Sequence, residues 1–164
     1  MIFVTVGTHE QPFDRLIKCI DQMVENGKID EKVIIQKGYT EYIPKNCESY
    51  KLIGYEYMKK YIDEARIVVT HGGPASFIAP LSVGKIPVVV PRQYKFNEHV
   101  NNHQLEFAKE IEKRMNNIIV AETEDEIIDV ILNYDDKIKK MDLINSSNNK
   151  KFNERLIEEI KQIL

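Results

Sequence analysis

The stretch IVVTHGGPASFIAPLSVGKIPVVVP, residues 67–91, decides the fold of this chain. It opens with a β-branched apolar run, breaks at a His-Gly-Gly triplet, and ends in a second apolar run between two prolines. We predict strands over 67–70 and 87–90, with a helix over 75–83 between them. This order of strand, helix and strand is typical of a βαβ unit, whose two strands are parallel.

The alternation of strands and helices extends in both directions from this unit. Apolar runs predict further strands at 2–6, 32–36, 50–53 and 117–120. Helical spacing of apolar residues predicts further helices at 14–26, 56–65, 100–112 and 124–132. Most of the strands are apolar on both faces, as in a parallel sheet covered by helices on both sides. The chain is therefore predicted to be α/β, a single Rossmann-like doubly wound sheet.

A polar run, NSSNN at 145–149, predicts a boundary near the carboxyl end. Residues 1–144 are predicted to form the α/β domain, and residues 145–164 a hinge followed by an amphipathic helix. The apolar stripe of that helix consists of Phe152, Leu156, Ile157, Ile160, Ile163 and Leu164. Such a stripe either packs back on its own domain or docks on a partner.

Composition narrows the function classes. The 164 residues fit one domain with a core of its own, and the net charge of −3 without a basic patch argues against a nucleic-acid partner. Cys19 and Cys47 are too far apart in sequence for a zinc motif or a disulfide framework, so a reducing, cytoplasmic compartment is expected. No apolar run reaches the roughly 18 residues of a membrane span, and the first ten residues do not read as a signal peptide.

The THGGPASF segment at 70–77 predicts a phosphate cradle. Glycines directly after a strand let backbone N–H groups approach a ligand, and a helix N-terminus attracts anions. The predicted donors are Gly72, Gly73 and Ala75, with the hydroxyl of Ser76 as a further one. The alternative is a plain strand-to-helix turn that needs glycine only for its geometry.

Two other junctions between a strand and a helix are also polar. Gly7 and Thr8 follow the first strand and are predicted to offer a second set of donors at the same sheet edge. Neither the dinucleotide fingerprint nor the P-loop pattern is present. The third junction, PRQYKFNEHVNNHQ at 91–104, has more polar side chains than a connection requires, although surface loops are often polar.

Catalytic motifs of other classes are weak in this chain. His99 and His103 are four residues apart and would share a helix face, but no third ligand accompanies them, so no metal is expected. A serine hydrolase is also disfavoured, because the G-x-S-x-G elbow is absent.

Residues 69–107, VTHGGPASFIAPLSVGKIPVVVPRQYKFNEHVNNHQLEF, resemble the nucleotide-sugar half of GT-B glycosyltransferases of family 28. The resemblance runs from Val4 to about Ala121. It is strongest to small bacterial capsule and exopolysaccharide glycosyltransferase subunits. These are similar to the catalytic subunit of the two-subunit GlcNAc transferase that makes lipid-linked oligosaccharides. The resemblance implies one half of a GT-B fold and a UDP-hexose donor, with no cofactor.

The resemblance also implies roles for individual residues. It places Gly7, Thr8, His71, Gly72, Gly73 and Ser76 near the diphosphate and the sugar. It places Glu98 and His99 near the donor sugar, with Asn102 and Gln104 in the same motif, where they contact the donor or only shape the loop. Arg92 is a candidate counter-charge for a phosphate. One position departs from the family pattern, because Ala79 stands where many relatives carry a glutamate for the ribose.

The implied reaction is transfer of a hexose to a polyprenyl-diphosphate-linked saccharide in capsule or exopolysaccharide repeat-unit synthesis. A membrane-anchored partner subunit is expected to complete the cleft and to recruit the chain to the inner face of the membrane. The catalytic base comes either from that partner or from His9 or Glu10. Two rivals are a sugar-nucleotide epimerase, for which the chain is short, and a non-catalytic UDP-sugar-binding or regulatory subunit.

Overall fold

The structure is a computed structural model, and it describes residues 1–145. These residues form six strands and six α-helices, which alternate along the chain except that the third strand follows the second and the sixth helix follows the fifth directly. They are β1 Ile2–Thr5, α1 Asp14–Glu25, β2 Val33–Gln36, β3 Glu48–Tyr50, α2 Tyr55–Glu64, β4 Ile67–His71, α3 Pro74–Ser82, β5 Val88–Val90, α4 His103–Met115, β6 Ile119–Val120, α5 Glu124–Leu132 and α6 Tyr134–Asn145. A single 3₁₀ turn, Tyr94–Phe96, lies between β5 and α4.

All six strands form one sheet, in which every pair of neighbours is parallel and the order is β3-β2-β1-β4-β5-β6. The chain runs outward from β1 to β3 and then returns, so that β4 lies on the other side of β1. The connections that follow β1 and β4 therefore leave in opposite directions. This arrangement opens a crevice at the carboxyl ends of these two strands, which is where ligands of open α/β sheets bind. The predicted α/β class and doubly wound parallel sheet are confirmed.

Alternate residues of the central strands pack against opposite layers of helices. In β4, Ile67 and Val69 belong to a core cluster with α1 and α5, whereas Val68 packs on the other face with Ile62 of α2. The same alternation in β5 sends Val89 toward α3 and α4. Since both faces are covered, these strands have no polar face, and this explains their unbroken apolar sequence.

The edge strand differs from its prediction. We predicted it at 50–53, whereas β3 covers Glu48–Tyr50. Its residues are partly exposed and polar, because an edge strand packs on one side only, so the apolar signal on which the prediction relied is missing. The carbonyls of Tyr50 and Lys51 accept bonds from the N–H groups of Lys37 and Gly38, at 2.8 and 2.9 Å, before the chain leaves the sheet.

The helix predicted at 100–112 begins three residues later, at His103. The side-chain oxygen of Asn101 accepts a bond from the backbone N–H of His103 at 3.1 Å, which favours a turn over continued helix. Asn97 has a left-handed backbone (φ 56°) that ends the 3₁₀ turn before it. His99 and His103 therefore do not share a helix face.

The helix α6 was not predicted. Its first residue, Tyr134, is buried and donates its hydroxyl to the carbonyl of Ile86 at 2.6 Å, which fixes the start of the helix on the core. The predicted hinge and amphipathic helix at 145–164 lie outside the described residues, apart from Asn145, which ends α6.

No helix within residues 1–145 is long and apolar enough to cross a lipid bilayer. Cys19 is buried and Cys47 is half-buried, and both thiols are free.

Candidate functional site

The crevice between β1 and β4 is occupied at its floor by the ring of His71. A Cβ atom added at Gly7 would lie 2.5 Å from Cε1 of this ring, and one added at Gly73 would lie 2.6 Å from Nε2. Gly7 also has a positive φ of 74°, which other residues rarely adopt. The two glycines are thus required by the histidine between them, a reason that the sequence motif alone does not reveal.

The ring of His71 is uncharged at neutral pH. Burial, reinforced by the positive charge of Arg92, lowers its pKa to about 4, against a smaller opposing effect from the backbone of Thr5. Its Nδ1 is enclosed and has no hydrogen-bond partner among residues 1–145. His71 can therefore meet an anionic ligand as a neutral hydrogen-bonding group and not as a cation.

A cleft of about 410 Å³ opens beside this ring, at the carboxyl ends of β1, β2 and β4. It is lined by Thr5, Gly7, Thr8, Gln36, Met58, Ile62, His71, Gly73, Pro74, Ala75, Ser76 and Ala79. The first turn of α3 forms one wall, and no side chain within residues 1–145 caps that helix end. Its partial positive charge and the N–H of Ala75 are therefore free to meet an anion.

The far wall of the cleft is apolar. Ala79 lies there with Met58 and Ile62, so the position at which relatives carry a ribose-binding glutamate faces the cleft without a carboxylate. Nearby, the side-chain oxygen of Gln36 contacts the hydroxyl of Thr5, and its Nε2 donates to the carbonyl of Gly7 at 3.4 Å. Gln36 thus ties β2 to the loop after β1.

Ser76 lines the cleft, but its hydroxyl is engaged in the turn. Its Oγ lies 2.8 Å from the carbonyl oxygen of His71 and 2.6 Å from that of Gly73, and the single hydroxyl proton serves one of them at a time. The backbone N–H of Ser76 donates to Gly73 as well, at 3.0 Å. Gly72 is buried beneath the turn, where a Cβ would come within 2.8 Å of Gln104. The proton of the Ser76 hydroxyl is therefore used within the turn, and Gly72 packs against Gln104.

Arg92, a candidate counter-charge for a phosphate, is fully buried. Its NH1 donates to the carbonyls of Gln11, Pro12 and Glu98 at 2.7, 3.3 and 3.2 Å, and its NH2 donates to that of Val6 at 3.0 Å. Burial lowers its pKa to about 10, so it stays charged at pH 7. The guanidinium binds the loop after β1 to the loop after β5 and has no exposed surface to offer a phosphate.

The loop after β5, residues 91–102, is called here the β5 loop. Its Glu98 is 3% exposed and forms a two-pronged ion pair with Arg15 of α1, with N–O distances of 2.9 and 3.0 Å. The second carboxylate oxygen also accepts the backbone N–H of Gln93 at 3.1 Å. The Arg15 guanidinium stacks over the ring of Phe96, 4.7 Å from its centre. Arg15 had no signal in the sequence, because its partner lies 83 positions away.

Asn102 and Gln104 both shape the β5 loop. The side-chain oxygen of Asn102 accepts the N–H of Tyr94 at 2.9 Å, and that of Gln104 accepts the N–H of Arg92 at 3.3 Å. These contacts fit the simpler of the two roles considered for them, in which they hold the loop.

The ion pair and Arg92 bring two histidines from different loops together. The ring centres of His9 and His99 are 5.0 Å apart, and the ring planes form an angle of 47°. The pKa of His9 is lowered by burial and by the charges of Arg92 and His99, and Glu10 opposes this shift. Glu10 itself is exposed. Within residues 1–145 there is no group of three or more side chains arranged to hold a metal ion.

The model of the glycosyltransferase family 28 C-terminal domain matches residues 1–160. The chain belongs to this family. It is 38% identical over 122 residues to the Homo sapiens UDP-N-acetylglucosamine transferase subunit ALG13, a match that covers 68% of this chain and 10% of that protein. The Mus musculus subunit of the same name is 33% identical over 122 residues, with the same coverage. The family 28 chain thus spans about a tenth of the length of these curated relatives.

Solved structures agree with the family 28 chain in fold. The glycosyltransferase of kitacinnamycin has a TM-score of 0.54 at 14% identity, covering 85% of this chain and 36% of that one. The glycosyltransferase SnogD from Streptomyces nogalater has a TM-score of 0.52 at 16% identity, and the match covers 87% of this chain and 37% of that one. The calicheamicin glycosyltransferase CalG4 has a TM-score of 0.53 at 14% identity, and the match covers 99% of this chain and 43% of that one. The chain therefore has the fold of a part of these glycosyltransferases.

Proposed function

We propose that this chain is the donor-binding subunit of a UDP-hexose-dependent glycosyltransferase. It transfers a hexose to a polyprenyl-diphosphate-linked saccharide in capsule or exopolysaccharide repeat-unit synthesis. The observation that carries the proposal is the cleft at the β1–β4 crevice, where Gly7, His71 and the open first turn of α3 converge. Membership of family 28 supports transfer of a glycosyl group, and the names of its mammalian relatives support a UDP-sugar donor and a subunit role.

The reaction is a displacement at the anomeric carbon of the donor. The bond from that carbon to the phosphate oxygen breaks, its electron pair stays on the oxygen, and UDP leaves. Negative charge therefore grows on the diphosphate in the transition state. Backbone donors near Gly7, Gly73 and Ala75, with the dipole of α3, are placed to stabilise it without a metal, and each such donor is worth roughly 3 kcal/mol of barrier.

The nucleoside is held differently from relatives that carry a ribose-binding glutamate. At Ala79 the cleft presents a methyl group between the apolar side chains of Met58 and Ile62. Without a carboxylate here, the ribose hydroxyls must bond to other groups, either backbone or partner. We therefore expect a donor affinity weaker than that of relatives with the glutamate, and we expect Ala79→Glu to strengthen it.

A membrane-anchored partner subunit is part of the proposal. The acceptor of such a reaction is anchored in the membrane, and no helix in residues 1–145 can cross it. The partner recruits the chain to the inner membrane face and completes the acceptor site. The hydroxyl of the acceptor needs a base, which we expect from the partner if His9 and Glu10 are both dispensable.

The first experiment is calorimetric titration of the chain with UDP, UDP-glucose, UDP-galactose and UDP-N-acetylglucosamine. His71→Ala is the test variant, and His103→Ala, at an exposed histidine on α4, is the matched control. Binding that is lost in the first variant and kept in the second supports the site, and the preferred sugar identifies the donor. If no ligand binds at millimolar concentration, even with the partner co-expressed, the transferase proposal is wrong.

A non-catalytic UDP-sugar-binding subunit is the second candidate, favoured by the missing carboxylate at Ala79. Transfer assays with the partner present separate the two functions. If His71→Ala abolishes transfer while the complex still assembles, the site is catalytic. If transfer is unaffected although UDP-sugar binding is lost, the chain is regulatory.

A further inference from the structure

The cleft has no lysine or arginine among the described residues that line it, although the proposed donor carries a charged diphosphate. Backbone N–H groups must then meet most of that charge, and such a donor is effective only where the protein holds it in place and leaves it unpaired. The loop after β1 offers one at Thr8. This residue is exposed and lines the cleft, and within residues 1–145 its N–H has no hydrogen-bond partner.

Both polar backbone groups of the preceding residue, Gly7, are engaged by side chains. Its N–H donates to the hydroxyl oxygen of Thr5 at 3.4 Å, and its carbonyl accepts a bond from Nε2 of Gln36 at 3.4 Å. Since a carbonyl can only accept, Oε1 of Gln36 faces Thr5 and accepts its hydroxyl proton. Thr5, Gly7 and Gln36 thus form a closed hydrogen-bond network, in which both side chains are buried.

The carbonyl of Gly7 decides where the N–H of Thr8 points, because the two groups belong to one trans peptide and point in opposite directions. The carbonyl oxygen lies against the end of β2: it accepts the bond from Gln36, and a Cβ added at Gly38 would come within 2.7 Å of it. β2 and β4 lie on opposite sides of β1. The N–H of Thr8 is therefore directed away from β2, toward the side on which His71 and α3 form the cleft.

We propose that Gln36 is a positioning residue of the donor site, which together with Thr5 orients the Gly7–Thr8 peptide so that its N–H meets the diphosphate. This inference rests on the proposed function. The two bonds to Gly7 are long in the free protein, and a bound ligand strengthens one of them. A phosphate oxygen that accepts the N–H of Thr8 polarises the peptide, and the carbonyl of Gly7 becomes a better acceptor for Gln36.

The chain contains a second buried glutamine with the same kind of bond. Gln93 is 2% exposed, as Gln36 is, and its Nε2 donates to the carbonyl of Glu122 at 2.7 Å, which joins the β5 loop to the segment after β6. Gln93 does not line the cleft. A glutamine that only supports the fold should behave like Gln93, so Gln93→Met is the matched control for Gln36→Met.

The first test compares the affinity of these variants for UDP by calorimetry, with the partner co-expressed if the chain alone does not bind. Gln36→Met should weaken UDP binding about tenfold, near the lower end of the value of one bond to a charged group, because the N–H is misdirected and not removed. Gln93→Met should change the affinity by less than about threefold, although its bond is the shorter one.

The hydroxyl of Thr5 provides an independent test of the same network. Thr5→Val should weaken UDP binding by about fivefold, whereas Thr5→Ser, which keeps the hydroxyl, should restore the natural affinity. Thr5→Val combined with Gln36→Met should weaken binding by no more than about tenfold, because both side chains act through one peptide and their effects do not add.

The backbone amide of Thr8 reports the orientation directly by NMR. UDP and pyrophosphate should each move its proton signal downfield, and uridine, which has no phosphate, should not. At saturating UDP this movement should be smaller in Gln36→Met than in the natural chain and unchanged in Gln93→Met. A residue that only stabilises the fold would not change this signal.

Equal losses of UDP affinity in Gln36→Met and Gln93→Met, or an equal movement of the Thr8 signal in Gln36→Met and the natural chain, would overturn the inference and leave the proposed function intact. If Gln36→Met does not fold, the comparison of Thr5→Val with Thr5→Ser decides in its place, and equal affinities there would overturn the inference. If neither UDP nor a UDP-sugar binds with or without the partner, both proposals are overturned.

Discussion

The cleft and the β5 loop both follow a buried strand and both are rich in polar or glycine residues, but they use them in opposite ways. At the cleft, His71 and the first turn of α3 leave N–H groups and an apolar wall open to a ligand. In the β5 loop, Arg92 and Glu98 are bonded to the protein itself. A high proportion of polar residues in a loop therefore does not by itself indicate a ligand-binding site, because buried polar groups form hydrogen bonds inside the protein.

The two regions therefore have different roles. The β5 loop is held to α1 by Arg15 and to the loop after β1 by Arg92, and His99 of this loop lies beside His9. The cleft has few side chains of its own to offer. Under the proposed function, the cleft therefore acts through backbone groups of the loop after β1 and of the first turn of α3.

The largest effect is expected from Arg92→Met, which tests whether the β5 loop is structural. The change removes the donor for four carbonyl groups, so the free energy of unfolding should fall by about 3 to 5 kcal/mol. Arg114→Met is the control, since Arg114 is exposed on α4 and pairs with Glu110 one turn away, and it should change stability by less than about 0.5 kcal/mol. Urea unfolding measures both. A stable Arg92→Met protein with weak UDP-sugar binding would give Arg92 a direct role in the cleft.

A smaller loss is expected at the cleft itself, from Gly7→Ala. The new Cβ would collide with the His71 ring, and the positive φ adds strain, so we expect a cost of about 2 to 3 kcal/mol. Gly84→Ala is the matched control, because Gly84 has φ 77° but no atom of residues 1–145 lies within 4 Å of the added Cβ, and it should cost only about 1 kcal/mol. Equal losses in the two variants would show that the ring is not seated between the glycines.

The pH dependence of stability sharpens the comparison further. The pKa of His71 is about 4 in the folded chain and 6.5 without the fold. As the pH falls from 6.5 toward 4, the unfolded chain gains a proton at this ring before the folded chain does, so the free energy of unfolding falls. Above pH 6.5 the ring is neutral in both states, and this loss of stability is absent. Between pH 6.5 and 4.5, the free energy of unfolding should therefore fall by about 2 kcal/mol less in His71→Gln than in the natural chain. His103→Gln serves as control. Parallel pH profiles for His71→Gln and the natural chain would mean that the ring is not shielded.

The smallest effect is expected from Ser76→Ala. Because its hydroxyl bonds the turn, its loss should cost about 1 kcal/mol of stability. UDP-sugar affinity should change by less than about threefold, against roughly tenfold for a lost ligand bond. Ser82→Ala, which removes a bond to the carbonyl of Ala79 on the exposed side of α3, is the control. A tenfold loss of affinity in Ser76→Ala alone would show that the hydroxyl turns toward the ligand.

Much of the site could be located from the sequence but not described. The motif at 70–77 and the loop after β1 were placed at one sheet edge, because parallel strands end at the same edge. Their glycines were explained by ligand access, whereas the ring of His71 is what requires two of them. Arg92 was predicted to face a phosphate, and only its four carbonyl partners, from segments up to 86 positions away, show that it is enclosed.

The sequence by itself determined the α/β class, the parallel sheet and the sheet edge at which the candidate site was sought. Strands buried on both faces and helices buried on one produce periodic apolar patterns that need no knowledge of distant partners. Only the tertiary structure decided which polar side chains remain free. That outcome depends on long-range pairs such as Arg15 with Glu98 and His9 with His99, which leave no local pattern, because hydrogen bonds and ion pairs depend on distance in space and not on separation along the chain.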